Sequence, residues 1–268
     1  MVPLTDIQFH AIREWLYRHA GISLNDSKKC LVAGRLHKRL AELTLTDYGD
    51  YLALLQAGQG IEPEVAINLL TTNETYFFRE PEHFEFLRLS LQQRSPGEPF
   101  HVWSAASASG EEAYSIAMLL ADVLGPEANW HIVGTDINTR VLAQARRGVY
   151  PMERAKRIPL DYLKRFCLKG VRKDRGWLKI LPAVSRHVGF IHYNLMHSPA
   201  LEQKFDVVFL RNVLIYFNQE DKKRVVTNVL RSLKPNGLLL VGHSESVNGY
   251  HPGLELLKPS CYRYVHVK

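Results

Sequence analysis

Apolar positions along the first seventy residues recur at helical spacing. Ile7, Ala11, Ile12, Trp15 and Leu16 predict a helix over residues 5–19, with Thr5 or Asp6 as N-cap and Gly21 as its stop. Leu31, Val32, Leu36 and Leu40 predict a second from Asn25 or Asp26 to about Leu43. Tyr48, Tyr51, Leu52 and Leu55 predict a third opened by Thr46 or Asp47, and residues 62–70 a short fourth. From Phe100 the pattern changes. Apolar runs at 100–103, 131–134, 188–192, 205–210 and 238–241 alternate with helical stretches at 111–124, 138–147 and 221–233. Runs that are apolar throughout suit strands covered on both faces, and the alternation predicts a doubly wound α/β sheet. Residues 262–267 are expected to close it as an edge strand. Residues 149–168 read as irregular or helical and basic, and 170–182 as a small β excursion. The expected organisation is a helical domain (1–72), then an α/β domain (73–268) with a small β-subdomain at about 166–186.

The core stretch, residues 100–138, reads FHVWSAASASGEEAYSIAMLLADVLGPEANWHIVGTDIN. A strand, a turn of very small residues, a helix, a strand and then Asp136 is the layout of a nucleotide-type site. The small turn lets a ligand approach backbone N–H groups, and the acid accepts hydrogen bonds from ribose hydroxyls. Only Gly110 stands where a dinucleotide turn carries three glycines, and Glu111 and Glu112 open the helix. Acids there repel a phosphate and attract a cation. A ligand with an adenosine, a positive charge and no phosphate fits, and S-adenosylmethionine is that ligand.

Composition excludes several classes. The 46% hydrophobic and 23% charged content is that of a soluble globular protein, with no 18-residue apolar stretch and no signal-peptide pattern in the first ten residues. A cytoplasmic protein that does not enter a membrane is therefore expected. Cys30, Cys167 and Cys261 lie far apart without a CxxC pair, so reduced cysteines and no metal are expected. The net charge of +7 is uneven. Residues 146–186 hold 13 Lys/Arg against 3 Asp/Glu, and Lys28, Lys29, Arg35, His37, Lys38 and Arg39 form a second cluster. Such surfaces suit nucleic acid or an acidic protein, or stand solvated without a partner. A methyltransferase acting on base amino groups carries N/D-P-P-Y/F after its fourth strand. Here Arg211-Asn212-Val213-Leu214 stands in that place, and nucleic acid is set aside.

In such sheets ligands bind beyond the carboxyl ends of the strands. The candidates are thus residues 104–110, Asp136, Asn194 and Arg211-Asn212. Each has a plainer reading: Ser109-x-x-Glu112 as a capping box, Asp136 as an N-cap, Asn194 as a turn residue, Tyr216 and Phe217 as core. In the loop 70–84, Tyr76, Phe77 and Phe78 can equally pack a domain interface while Arg79 pairs with Glu80 or Glu82.

LTTNETYFFRE, VWSAASASGEEAYSIAM, GTDIN, RNVLIYF and LKPNGLLLVGHSES together resemble the chemotaxis receptor methyltransferases, the CheR family, over essentially the whole chain. The resemblance implies a Rossmann-like sheet with a helical N-terminal domain and a β-subdomain able to dock on a receptor. It implies a protein-glutamate O-methyltransferase that uses S-adenosylmethionine and releases S-adenosylhomocysteine in sensory adaptation. It puts Asn73, Thr75 and Arg79 in a loop closing over the cofactor, Glu112 on the methionine ammonium and Asp136 on the ribose. Asn194 and Leu195 fall on the adenine side, and Arg211, Asn212 and Tyr216 beside the reactive methyl. Ala108, where threonine or a similar residue is familiar nearby, and Ala113, where proline is usual, are mild departures. Arg79 and Tyr216 are expected to hold the acceptor carboxylate, with Arg79 on the cofactor's carboxylate as the alternative and His243 as a hydrogen-bonding support. The expected partners are chemoreceptor cytoplasmic helices against residues 28–39 and a receptor C-terminal peptide at the β-subdomain. A monomer is expected.

Overall fold

A computed structural model describes residues 3–94 and 97–265. The helical domain consists of α1 (Asp6–Ala20), α2 (Lys29–Glu42), α3 (Tyr48–Ala57) and α4 (Glu62–Leu70). Thr5 and Gln8 form a capping box on α1, Gly21 ends it in the left-handed region, and Asp47 caps α3. The second helix starts later than its apolar spacing suggests, after a 3-10 turn at Asp26–Lys28. Ile12, Trp15, Leu16, Leu36, Leu40 and Tyr51 are buried together in the core. The Glu62 carboxylate pins this core: it accepts from Arg39 Nε (2.9 Å) and Nη2 (2.6 Å) and from the Tyr51 hydroxyl (2.8 Å).

The remaining elements are α5 (Pro81–Gln92), β1 (Phe100–Ala105), α6 (Glu111–Val123), β2 (Trp130–Asp136), α7 (Thr139–Arg147), β3 (Val149–Pro151), α8 (Leu160–Phe166), β4 (Cys167–Lys169), β5 (Trp177–Ile180), α9 (Pro182–Ser185), β6 (Val188–His192), β7 (Phe205–Leu210), α10 (Gln219–Leu230), β8 (Leu233–Val241), β9 (Leu254–Lys258) and β10 (Cys261–Tyr264). The main sheet runs β6-β2-β1-β7-β8-β10-β9, parallel as far as β8. It is covered on both faces, which is why its central strands are apolar throughout. Strand order reverses beside β1, which has β2 on one side and β7 on the other. That reversal opens a crevice at the carboxyl ends of these strands.

Three expectations change. The strand near the C-terminus is interior: β10 pairs antiparallel with β8 and β9, and β9 is the edge. Residues 266–267 of the expected strand lie outside the described residues. Lys234-Pro235-Asn236-Gly237 does not precede its strand but belongs to it, because β8 already pairs at Leu233. The register then slips from Phe205↔Leu233 to Val207↔Leu238, with Asn236 at φ 63° absorbing the turn. The small sheet, ordered β3-β5-β4, takes a strand from Val149–Pro151, ahead of the expected 166–186 segment.

Candidate active site

Asn73, Thr75, Arg79, Glu112, Asp136, Asn194, Leu195, Arg211, Asn212 and Tyr216 all line one cavity of about 520 Å³ between the sheet ends and the helical domain. That volume suits a small organic ligand.

The turn after β1 is strained. Ala106 and Ala108 take φ of 60° and 47°, and Gly110 takes 93°. Non-glycine residues there cost on the order of 1–3 kcal/mol each, and such strain concentrates at functional sites. At Gly110 a Cβ would lie 2.9 Å from the Ala145 Cβ and 3.0 Å from the Tyr150 hydroxyl. Asp136, at the end of β2, holds the turn in place. Its carboxylate accepts the Ala108 N–H (2.9 Å) and the Asn138 N–H (2.8 Å). It is not the N-cap of α7; Asn138 is, accepting from the Val141 N–H. Burial raises the Asp136 pKa, against the pull of the backbone N–H groups around it.

The capping-box reading of Glu112 also fails. Gly110 is the N-cap, without a side-chain cap, and the Ser109 hydroxyl goes to Glu111. Glu111 is buried with Arg154 and does not line the cavity. Glu112 faces it, accepting from the Ser104 hydroxyl (2.7 Å) and from Arg211 Nη1 (3.0 Å). Burial raises its pKa, with Arg211 and Ser104 opposing.

The loop before α5 is part packing and part site. Phe77 is buried edge-on against Tyr150, and the Phe78 N–H donates to Ser115 Oγ (2.9 Å). Arg79 pairs with neither Glu80 nor Glu82; its Nη1 donates to the Glu74 carbonyl (3.0 Å). Left-handed backbone at Phe78 and Glu80 kinks the chain, so that Arg79 and Glu80 meet different partners. Tyr216 lies on a 3-10 turn whose carbonyl accepts the Ser23 N–H (2.8 Å). Burial raises the pKa of its hydroxyl, while Arg79 and Arg35 draw it down. Asn194 behaves as the turn residue: its Oδ1 accepts the Met196 N–H (3.0 Å), and its Nδ2 donates to the His19 carbonyl (2.8 Å), tying β6's exit to α1.

Further residues complete the site. Arg35 of α2 donates to the carbonyls of Leu70 (2.6 Å) and Thr71 (3.1 Å) and to Thr72 Oγ1 (2.9 Å), bracing the root of the loop. It stood in a run of basic residues, and no local signal separated it from them. Glu245 accepts the N–H groups of Asn212 (2.8 Å) and Gly242 (2.7 Å), holding Asn212 at φ 56°. Gly242 has no room for a side chain: a Cβ would sit 2.5 Å from Asn212 Nδ2. His243 contributes its backbone N–H, which donates to Glu80 (3.2 Å), rather than a side chain in the cavity. Among the described residues, Glu80, His83 and His243 form a group with metal-type ligand atoms. Its carboxylate is already engaged by three N–H donors.

These residues fit S-adenosylmethionine. Two carboxylates face the cavity, the buried Asp136 holding the turn and the half-buried Glu112 beside Arg211; burial lifts both toward their protonated forms, and a cationic ligand with free hydroxyls eases both. The model for the CheR methyltransferase all-alpha domain matches residues 7–71, and that for the CheR methyltransferase SAM binding domain matches residues 73–261. The chain is 42% identical to a chemotaxis protein methyltransferase of Escherichia coli, over 91% of this chain and 86% of that one. It is 40% identical to chemotaxis protein methyltransferase 2 of Pseudomonas aeruginosa, over 89% and 86%. A Borreliella burgdorferi chemotaxis protein methyltransferase is 32% identical over 98% and 95%. Among solved structures the chain is similar to N-methyltransferase NodS of Bradyrhizobium japonicum, at 16% identity and a TM-score of 0.37 over 65% of this chain and 68% of that one. On the two domain matches and these relatives, the chain belongs to the CheR family and is an S-adenosylmethionine-dependent methyltransferase.

Proposed function

We propose that this chain methylates glutamate side-chain carboxylates on the cytoplasmic helices of chemoreceptors, leaving glutamate methyl esters and S-adenosylhomocysteine. The observation that carries the proposal is the polarity of the cavity. Its acids Glu112 and Asp136 outnumber the one cation, Arg211, at the sheet ends. Its other cations, Lys28, Arg35 and Arg79, stand toward the helical domain and solvent, with the exposed Glu74 the acid among them. A cationic cofactor belongs at the first pole, and an anionic acceptor is drawn to the second.

Bound there, S-adenosylmethionine supplies a methyl group on a sulfonium sulfur. Glu112 takes the ammonium, Asp136 the ribose hydroxyls, and Asn194 and Leu195 the adenine side. Asn73 and Thr75 close the loop above, and Arg211 and Asn212 fix the groups beneath. A glutamate acceptor, with a free pKa of about 4.3, is already ionised at neutral pH, so no residue has to remove a proton. The protein's part is alignment and exclusion of water. Arg79 and Tyr216, both on the cavity wall, hold the acceptor oxygens. Because Arg79 is also engaged by the Glu74 carbonyl, it orients the carboxylate without quenching it in a full ion pair. Receptor helices lie along α2, where Lys28 and Lys38 are exposed. A receptor C-terminal peptide meets the small sheet, where Leu168, Val171 and Trp177 are exposed among basic side chains.

Methyl transfer from radiolabelled S-adenosylmethionine to receptor-rich membranes tests this. Base-labile label that vanishes when receptor glutamates are changed to alanine is the expected result. Label that survives base, or that appears on RNA instead, overturns the assignment.

A further inference from the structure

We propose that Glu80 is a positioning residue for the cofactor's ammonium group: by holding one arm of the Arg211 guanidinium, it keeps that cation from fully compensating the Glu112 carboxylate, which is left to attract a ligand cation. The inference rests on the cofactor reading above and assigns a role to a residue outside the cavity wall.

The Arg211 side chain has no exposed surface and lies between two carboxylates, Glu112 at 3.0 Å and Glu80 at 2.9 Å. One buried cation against one buried anion is a neutral pair. Against two it leaves one negative charge uncompensated, and a largely buried arrangement of that kind, with the carboxylate side chains 13–14% exposed, favours a further cation. Where the excess charge resides follows from the donors. Glu80 accepts from Arg211 Nη2, from Asn212 Nδ2 (3.1 Å) and from the His243 N–H (3.2 Å). Burial works to protonate Glu80, but Arg211 and Asn212 outweigh it and hold its pKa below the usual value. Glu112 has Arg211 and one hydroxyl, and burial together with the Glu80 charge raises its pKa, so the excess negative charge is felt there and a ligand cation relieves it. The uncompensated charge therefore falls on the carboxylate that lines the cavity.

The other groups around Glu80 do not relieve it. His83 lies 3.4 Å away through Nδ1, an atom with no hydrogen-bond partner. Its Nε2–H donates to Ser260 Oγ (2.9 Å), whose own hydrogen goes to the Pro259 carbonyl (2.7 Å), so Nδ1 carries a lone pair. Burial and the nearby Arg211 push the His83 pKa down to about 3, and the ring stays neutral. The His243 ring packs edge-on against His83 and is half exposed, near Glu82.

The test is calorimetry on the full chain with two ligands. S-adenosylhomocysteine carries the ammonium; 5′-methylthioadenosine lacks the whole amino-acid arm. Glu80→Gln is expected to weaken S-adenosylhomocysteine about tenfold, the effect of one charge-assisted contact, and to leave 5′-methylthioadenosine within about twofold. Glu80→Asp, which keeps the charge, is expected to lie closer to wild type than Glu80→Gln and guards against a variant that fails for packing reasons. Equal weakening of both ligands, unchanged affinity for both, or Asp binding no better than Gln overturns the role. Wild-type protein that binds neither ligand overturns the cofactor reading itself, so the two failures are distinguishable.

Discussion

The Arg157 guanidinium lies 4.2 Å above the ring of Tyr76, whose surroundings also hold Arg79, 5.6 Å from the same ring. Arg157 comes from the basic segment between β3 and α8, and Tyr76 from the loop at the cavity. The stack ties the loop to the small subdomain and holds Tyr76 beside the guanidinium expected to meet substrate. Exposed cation–π contacts are worth a factor of about two to five. Arg157→Ala should raise the KM for S-adenosylmethionine by that factor with little change in Tm, and Tyr76→Phe, which keeps the ring face, should not. Steady-state kinetics on the two variants checks this.

Arg79 is half-buried, and no carboxylate among the described residues pairs with it, so its cation is available to a ligand. Arg79→Ala should lower methyl transfer by about 100-fold or more, since both charge and alignment are lost. Tyr216→Phe removes one hydroxyl and should cost about tenfold. Calorimetry on Arg79→Ala separates two jobs. Unchanged S-adenosylhomocysteine affinity assigns Arg79 to the acceptor, and weakened affinity assigns it to the cofactor's carboxylate. Near-wild-type transfer in Arg79→Ala removes it from the mechanism.

Glu112 gives the site a pH dependence whose sign can be worked out. Its pKa in the folded protein is raised, chiefly by burial. The folded state without ligand thus holds this proton more tightly than the unfolded chain does. Its contribution to stability is present at low pH and falls as pH rises from the ordinary glutamate value, about 4.3, through the raised one. A bound cation reverses this, because it pairs with the ionised form. S-adenosylmethionine affinity should therefore fall as pH is lowered from about 8 to about 5, and Glu112→Gln should bind weakly with the slope removed. Affinity flat with pH in the wild type would contradict the role given to Glu112.

What the sequence made legible follows from how local each signal is. Asp136 could be placed because a short apolar strand ends on it, and the acid's position past that end is fixed by the chain itself. The small turn and the two acids after it were visible for the same reason, though not which acid faces the cavity: Glu111 and Glu112 differ only in the helix face that the strained turn gives them. Glu80 was in plain view beside Arg79, and adjacency suggested a local pair. Its real partners, Arg211 and Asn212, lie more than a hundred residues on and are reached only through left-handed backbone at Phe78 and Glu80. Strand β9 escaped because LELLK is half-exposed at a sheet edge, where apolar content gives little signal. Strand β3 escaped because it is a three-residue strand whose partner, β5, follows only after α8 and β4.

The basic stripe of α2, uniform in sequence, divides into two kinds of cation in the structure, and this sets the last prediction. The Arg39 side chain is mostly buried and bridges Glu62 and Glu42, while that of Lys38 is 88% exposed. Arg39→Glu should destabilise the helical domain by roughly 3 kcal/mol, because it leaves Glu62 facing a second anion inside a buried network, and any loss of activity should follow loss of fold. Lys38→Glu, away from the cavity, changes exposed charge alone. It should leave Tm and S-adenosylhomocysteine affinity in place while raising the KM for receptor about threefold to tenfold at low salt, a difference that shrinks as salt is added. Thermal melts beside methylation assays at two ionic strengths separate these effects. If Lys38→Glu methylates receptor with an unchanged KM at low salt, the acceptor does not lie along this face of α2.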